Sequence, residues 1–295
     1  MTTPTATHPQ AADPAIPIRR MDFTSSVQHI PKYFAKNGEI LLSYYFALMS
    51  AAFPAGEDFF VRSVRHFRDQ VTDPQLRDQV RSFLGQETIH ARQHEGLNVR
   101  LAELGYPVDL VTRVGRKVVA FRSRSMSPES CLAQTAAAEH VTATLAEIFL
   151  SDPEARNCLA DETVLGILMW HALEEAEHKA VAFDVYRSIG GSERRRIKTA
   201  KVMRTTAIIN PILALTLALI FEPAIRRPSV LLRNVRSFRA SPISGKNVMD
   251  RLKLYERTGF HPNDIDTTHL LEEWRERLFG ADGSLNDVLA AKQAS

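Results

Sequence analysis

"WHALEEAEHKAVAFDVY", residues 170–186, reads as a buried helix, yet it places His171, Glu174, Glu175, Glu177 and His178 where a core takes leucine. At about 100° per residue, His171, Glu175 and His178 fall at roughly 0°, 40° and −20°, so one narrow stripe of a helix carries all three. Side chains on one stripe converge on a single point. Upstream, "ETIHARQH", residues 87–94, repeats the arrangement, with Glu87, His90 and His94 at roughly 0°, −60° and −20°. Two helical segments therefore each carry Glu-x-x-His.

Working outward, apolar residues recur at three and four positions almost everywhere, and strand alternation between hairpin turns is absent. The pattern predicts helices over 37–70, 74–105, 127–151 and 162–188, with a short last one over 268–279 stopped by Gly280. Pro74 and Pro128 suit first helical positions, Ser127 is a cap, and Gly105 and Gly190-Gly191 are stops. "FPAGE", residues 53–57, predicts a break or kink one turn before Glu57, since Pro54 removes a helical hydrogen bond and Gly56 loosens the backbone. The preceding "ILLSYYFALMSAAF" is apolar nearly all round, as core or as the wall of a passage to the site.

Carboxylates fall along these helices in a telling order: Glu57, then Glu87 with His90, then Glu139 in "AAAEHVTA", then Glu175 with His178. A ferritin-like di-metal bundle takes one Glu from each of two helices and one Glu-x-x-His from each of the other two. The separations are 30, 52 and 36 residues, and the longest falls where such a bundle has its crossover. Four carboxylates facing one interior carry −4, and burying even one uncompensated charge costs several kcal/mol. Two divalent cations cancel that charge. The expected fold is therefore all-α, a ferritin-like four-helix bundle with a long crossover and extra C-terminal helices.

"FPAGEDFF", "QETIHARQHEGLN", "AAAEHVTA" and "WHALEEAEHKAVAFDVY" together resemble the bacterial family of predicted metal-dependent hydrolases, over about residues 30–190. The fold this implies is similar to that of the di-iron carboxylate proteins. His171-x-x-x-Glu175-x-x-His178 also resembles the three-histidine variant found in di-iron N-oxygenases of the p-aminobenzoate oxygenase type. Carried over, the resemblance implies a ligand set of Glu57, Glu87, His90, Glu139, His171, Glu175 and His178. His94, His140 and Glu174 are candidates to support those ligands, His94 standing one turn beyond His90 and Glu174 next to Glu175. The arylamine substrate does not come with a ligand pattern.

Carboxylates with imidazole suit iron or manganese, whose redox states allow O₂ activation, so the leading expectation is two iron ions oxygenating a small or lipid-like substrate. Manganese, a mixed iron–manganese pair and zinc are the alternatives. The same metals acting as Lewis acids would hydrolyse an ester, amide or phosphoryl centre, and a metal store without organic substrate is a third reading. Repeated oxygenation needs an external electron donor, because no flavin or nicotinamide fingerprint is visible.

Composition bounds the rest. A chain of 295 residues with 44% hydrophobic content buries a large core. Residues 1–20 read as a flexible tail in which His8 has no role, 21–190 as the bundle, and 191–295 as a basic, apolar-rich helical extension. Cys131 and Cys158 are too few for a disulfide framework and lack the neighbours of a nucleophile. No charged start with an apolar stretch and cleavage site is present, so the expected location is cytoplasmic. The net charge of +3 hides a basic block: residues 187–257 hold 16 lysines and arginines against four acidic residues. Within it, "TTAIINPILALTLALIF", residues 205–221, has no charge. It reads as a short membrane span, a buried helix, a homodimer face or a helix lying on the inner face of a membrane. No nucleic-acid motif and no glycine-rich phosphate loop appear.

Overall fold

The computed structural model describes residues 16–220, 222–244 and 246–290; most of the expected tail, with His8, lies outside them. Among these residues the fold is all-α, with no strand. In chain order the helices are α1 (Ile40–Phe67), α2 (Pro74–Glu103), α3 (Val108–Ser125), α4 (Pro128–Ser151), α5 (Pro153–Arg156) and α6 (Glu162–His178). They continue with α7 (Val181–Ser188), α8 (Glu193–Ile220), α9 (Pro228–Ala240), α10 (Lys246–Leu254) and α11 (Thr268–Phe279). The expected cap is in place, the Ser127 side chain accepting from a free N–H group of the first turn of α4, and Asp73 and Asp161 do the same for α2 and α6.

Helices α1, α2, α4 and α6 form the bundle. α1 packs on α2 and α4 on α6, while α1–α4 and α2–α6 contacts close the square. Apolar residues fill it in two clusters. One gathers around Phe34, Phe46 and Trp170, the other around Phe83, Leu132 and Tyr186. Trp170 and Phe83 are fully buried, each worth roughly 2–3 kcal/mol of transfer free energy.

Four expectations need correction. First, α1 runs unbroken through Pro54. A proline strips the partners from the carbonyls three and four residues before it. Here side chains from elsewhere replace them: Asn98 Nδ2 donates to the Ser50 carbonyl at 3.1 Å, and Thr112 Oγ1 to the Ala51 carbonyl at 3.2 Å. Second, the helix predicted over 162–188 is interrupted directly after His178. The interruption coincides with buried Lys179, whose ammonium reaches the Ile265 carbonyl at 2.6 Å and the Thr267 hydroxyl at 2.9 Å. Third, the crossover holds a full helix, α3, and the uncharged run beginning at residue 205 is only the second half of the longer α8. Fourth, the end of the stretch read as a tail is anchored: Ile16 is buried, and Arg19 pairs with Glu174 and Glu177, while Ile18 between them is exposed.

Candidate metal centre

The bundle brings Glu57, Glu87, His90, Glu139, His171, Glu175 and His178 together, all of them buried. α1 supplies Glu57, α2 supplies Glu87 and His90, α4 supplies Glu139, and α6 supplies the rest. Glu175 Oε1 stands in the middle, 2.9 Å from His171 Nε2 and 3.7 Å from both His90 Nδ1 and His178 Nε2. Glu87 Oε1 bridges in the same sense, 3.0 Å from His178 Nε2 and 3.9 Å from His90 Nδ1. Glu139 Oε2 lies 3.2 Å from His178 Nε2, and Glu57 Oε1 lies 3.7 Å from His171 Nε2.

These approaches are mostly not hydrogen bonds. Both oxygens of Glu57, Glu87 and Glu139, with Glu175 Oε2, His90 Nδ1 and His178 Nε2, have no hydrogen-bond partner among the described residues. Atoms that stand 3.0 and 3.2 Å apart without aligning on each other are aimed at a shared third point. Two donors about 2.1 Å from one cation and at right angles stand about 3.0 Å apart. A buried unpaired polar atom costs about 1–3 kcal/mol, so nine of them in one place call for a compensating group. The donor set suits two cations.

Hydrogen bonds behind the imidazoles decide which nitrogen faces inward. Gln86 Nε2 donates to the Pro17 carbonyl and to Glu177 Oε2, which turns Gln86 Oε1 toward His178 Nδ1 at 2.9 Å. An amide oxygen only accepts, so His178 Nδ1 carries a proton and Nε2 is the nitrogen left facing the site. His90 Nε2 donates to Glu174 Oε2 at 2.9 Å, which frees Nδ1. Glu174 is itself held by Arg19 at 3.0 Å.

His171 is set by a longer chain. Asn98 gives its amide N–H to the Ser50 carbonyl and its oxygen accepts from Ser50 Oγ at 2.9 Å. The Ser50 hydroxyl, having spent its proton, accepts from His94 Nδ1 at 2.9 Å. His94 Nε2 then accepts from His171 Nδ1 at 2.7 Å, and His171 Nε2 is left with a lone pair 2.9 Å from a carboxylate oxygen of Glu175. Two lone pairs at that distance need a proton or a cation between them. Phe53 packs against the His94 and His171 rings, both at 4.7 Å, and Trp170 stands edge-on to His90.

The electrostatics express the same crowding. Burial first, then neighbouring carboxylates, pushes Glu57 and Glu87 well above the ordinary carboxylate range and Glu139 up to about 7. Burial would raise Glu175 too, but His178 and His171 hold it well below. Burial would lower His178, yet Glu175, Glu139 and Glu87 carry it well above its usual value. His90 and His94 are driven well below theirs by burial and by His171.

Of the three supporting candidates, Glu174 and His94 stand directly behind His90 and His171. His140 does not: it stacks on Tyr255 at 5.0 Å and its Nε2 donates to the Arg251 carbonyl, because its side chain leaves α4 about 100° from Glu139. Burial drives it down to about 4. Sequence reasoning missed Gln86, Ser50, Asn98 and Arg19, which lie outside the Glu and His pattern; only Gln86, adjacent to Glu87, carried a local signal. An apolar slot lined by Tyr45, Met49, Phe53, Leu145, Phe149 and Ile243 reaches His171 and Glu175 between α1 and α4. The apolar run ahead of "FPAGE" thus serves as core on one side and as a wall on the other.

No curated protein matches the chain, and no solved structure does. One family model, described as predicted metal-dependent hydrolase, matches residues 17–266, a stretch reaching from the segment that holds Arg19 through the basic region. The chain belongs to that family of predicted metal-dependent hydrolases.

Proposed function

We propose that the chain is a two-metal hydrolase acting on an ester, amide or phosphoryl bond of a largely apolar substrate. The observation that carries it is the convergence of nine buried, unpartnered donor atoms in a chain of this family. Glu57, Glu87, His90, Glu139, His171, Glu175 and His178 would hold the two cations. Two divalent cations there would supply Lewis acidity and lower the pKa of a bound water. The chain's own part is to fix the imidazole lone pairs through Gln86, Glu174 and His94 and to keep bulk water out with Phe53 and Trp170. Met49, Phe149 and Ile243 orient an apolar chain toward Glu175 and His171.

A second reading, oxidation of the same substrate by O₂, is favoured by the donor set: three imidazoles with four carboxylates suit iron or manganese. It would require an external electron donor. One experiment separates the two. Stripped protein is loaded under nitrogen with ferrous iron, manganese or zinc, metal is counted by mass spectrometry, and ester, amide and phosphoester panels are assayed before and after O₂ is admitted. Two metals per chain and turnover in the zinc or manganese form without O₂ support hydrolysis. A transient visible band in the iron form on admitting O₂, with no hydrolysis, moves the assignment to oxidation. Glu139→Ala and Glu175→Ala should each lose at least one metal with helix content retained, and unchanged stoichiometry in both would sink the site.

A further inference from the structure

Helices α3, α8 and α9 bury almost nothing. Val108 is the buried residue of α3, Asn234 that of α9, and α8 buries Arg196, Ala200, Leu215 and Ala218 out of 28 residues. A helix in water is held mainly by an apolar face packed on something, and these three turn apolar faces outward. On α3, Leu110, Val114, Val118 and Phe121 recur at four, four and three positions, and Phe121 is 70% exposed. On α8, Ile209, Ile212, Leu213, Leu217 and Ile220 are exposed, and on α9 Leu231 and Leu232, the latter 69%. All three helices pack on α1, so each turns its apolar stripe away from the bundle. Exposed apolar residues repeated along three helices mark a contact with another phase or molecule.

The charge says which. α3 carries Arg113, Arg116, Lys117, Arg122 and Arg124 against Asp109, α9 carries Arg233, Arg236 and Arg239 with no acidic residue, and Arg226 and Arg227 precede it. A second copy docked through this face by a two-fold axis would set these cations against themselves. An anionic lipid surface complements both the charge and the apolar stripes, with arginines at headgroup level and Phe121 and Leu232 below. α8 is long enough, and over its most apolar 18 residues apolar enough, with mean hydropathy 1.6, to cross a membrane. It lies lengthwise against α1 and α4, however, and Leu215 and Ala218 sit in the core, so it lies along the surface instead of leaving the body. The slot to Glu175 and His171 is walled by α1 and α4, takes Ile243 from the turn just after α9, and meets α9 itself where Phe238 stands 5.4 Å from slot residue Tyr45.

We propose that the outer face of α3, α8 and α9 docks on an anionic bilayer, from which the slot is reached. The docking stands independently of the chemistry at the metal centre. The test is flotation of the full chain with vesicles of phosphatidylcholine alone or with one third phosphatidylglycerol, at low and high salt. The expected result is partition at least about tenfold stronger onto the anionic vesicles, collapsing at high salt. Exchanging Arg233, Arg236 and Arg239 together for glutamine should weaken it about a hundredfold, roughly fivefold per charge. Phe121→Ser with Leu232→Ser should weaken it at unchanged helix content and metal stoichiometry. Equal or absent binding to the two vesicles overturns the proposal. So does a dimer in solution that the Phe121→Ser, Leu232→Ser variant dissolves while vesicle binding is nil, an outcome that assigns the face to a second copy.

Discussion

Arg19 belongs to the stretch that reads as a tail, and the structure makes it a strut of the metal centre; replacing it by alanine is the sharpest test of that role. Its guanidinium donates to Glu174 Oε1 at 3.0 Å and to both Glu177 oxygens at 2.8 Å. Arg19 is 9% exposed and both carboxylates are fully buried. Removing one partner of a buried pair costs about 3–5 kcal/mol, because the other charge is stranded. Glu177 retains Arg275 at 2.7 Å, so Glu174 bears most of the loss. Burial already lifts Glu174 to about 7 against the pull of Arg19, so without Arg19 it takes up a proton at pH 7. Protonation relieves part of the penalty and points to the low end, about 3 kcal/mol. The assay is urea unfolding followed by far-UV circular dichroism, on Arg19→Ala, Glu174→Gln and the double variant, at pH 7. The single Arg19→Ala loss should be about 3 kcal/mol, and in the Glu174→Gln background it should shrink by at least about 1 kcal/mol. A neutral Glu174 also holds the His90 N–H less firmly, so metal affinity should fall about 10–100-fold. A loss below about 1 kcal/mol, or an equal loss in both backgrounds, would refute the stranded-charge reasoning.

Stripped protein should lose stability as pH rises from 6.5 to 8.5. Glu139 is raised in the folded chain from 4.5 to about 7, so its contribution is full below 4.5 and gone above 7, about 1 kcal/mol of it within that window. Glu57, Glu87 and Glu174 move the same way, and His178, raised above 6.5, adds to the fall, whereas lowered His90 and His94 oppose it only below 6.5. Loading with metal, which binds the ionised carboxylates, should abolish or invert the trend in thermal melts at the two pH values. His94→Phe should keep two metals at saturation yet weaken one about 10–100-fold in chelator competition, with His94→Gln, which restores an acceptor for His171, recovering part of it. An unchanged affinity in His94→Phe removes the relay through Ser50. Asn98→Ala should cost about 1–3 kcal/mol by stranding the Ser50 carbonyl, and Pro54→Ala in that background should return much of it by restoring the helical N–H. If Pro54→Ala rescues nothing, Asn98 is not what keeps α1 continuous at Pro54.

The sequence alone determined whatever depends on neighbours within one helix. His171, Glu175 and His178, like Glu87 and His90, share a stripe because three and four residues make about one turn, and that geometry is local. The all-α class and the spacing of four carboxylate-bearing helices follow from the same periodicity, and the cap at Ser127 from the local Ser-Pro pair. Tertiary structure decided what depends on partners far along the chain. α1 stays whole at Pro54 because Asn98 and Thr112, from α2 and α3, supply the missing donors. The inward nitrogens of His178 and His171 are chosen by Gln86 and by Asn98 through Ser50 and His94. Arg19 turns from tail into strut because two carboxylates on α6 are buried within its reach. The outward faces of α3, α8 and α9 emerge only once packing on α1 leaves one stripe of each helix without a partner. A hydrogen bond or a buried charge is settled by the atoms it meets in space, and no periodicity within a single segment records those.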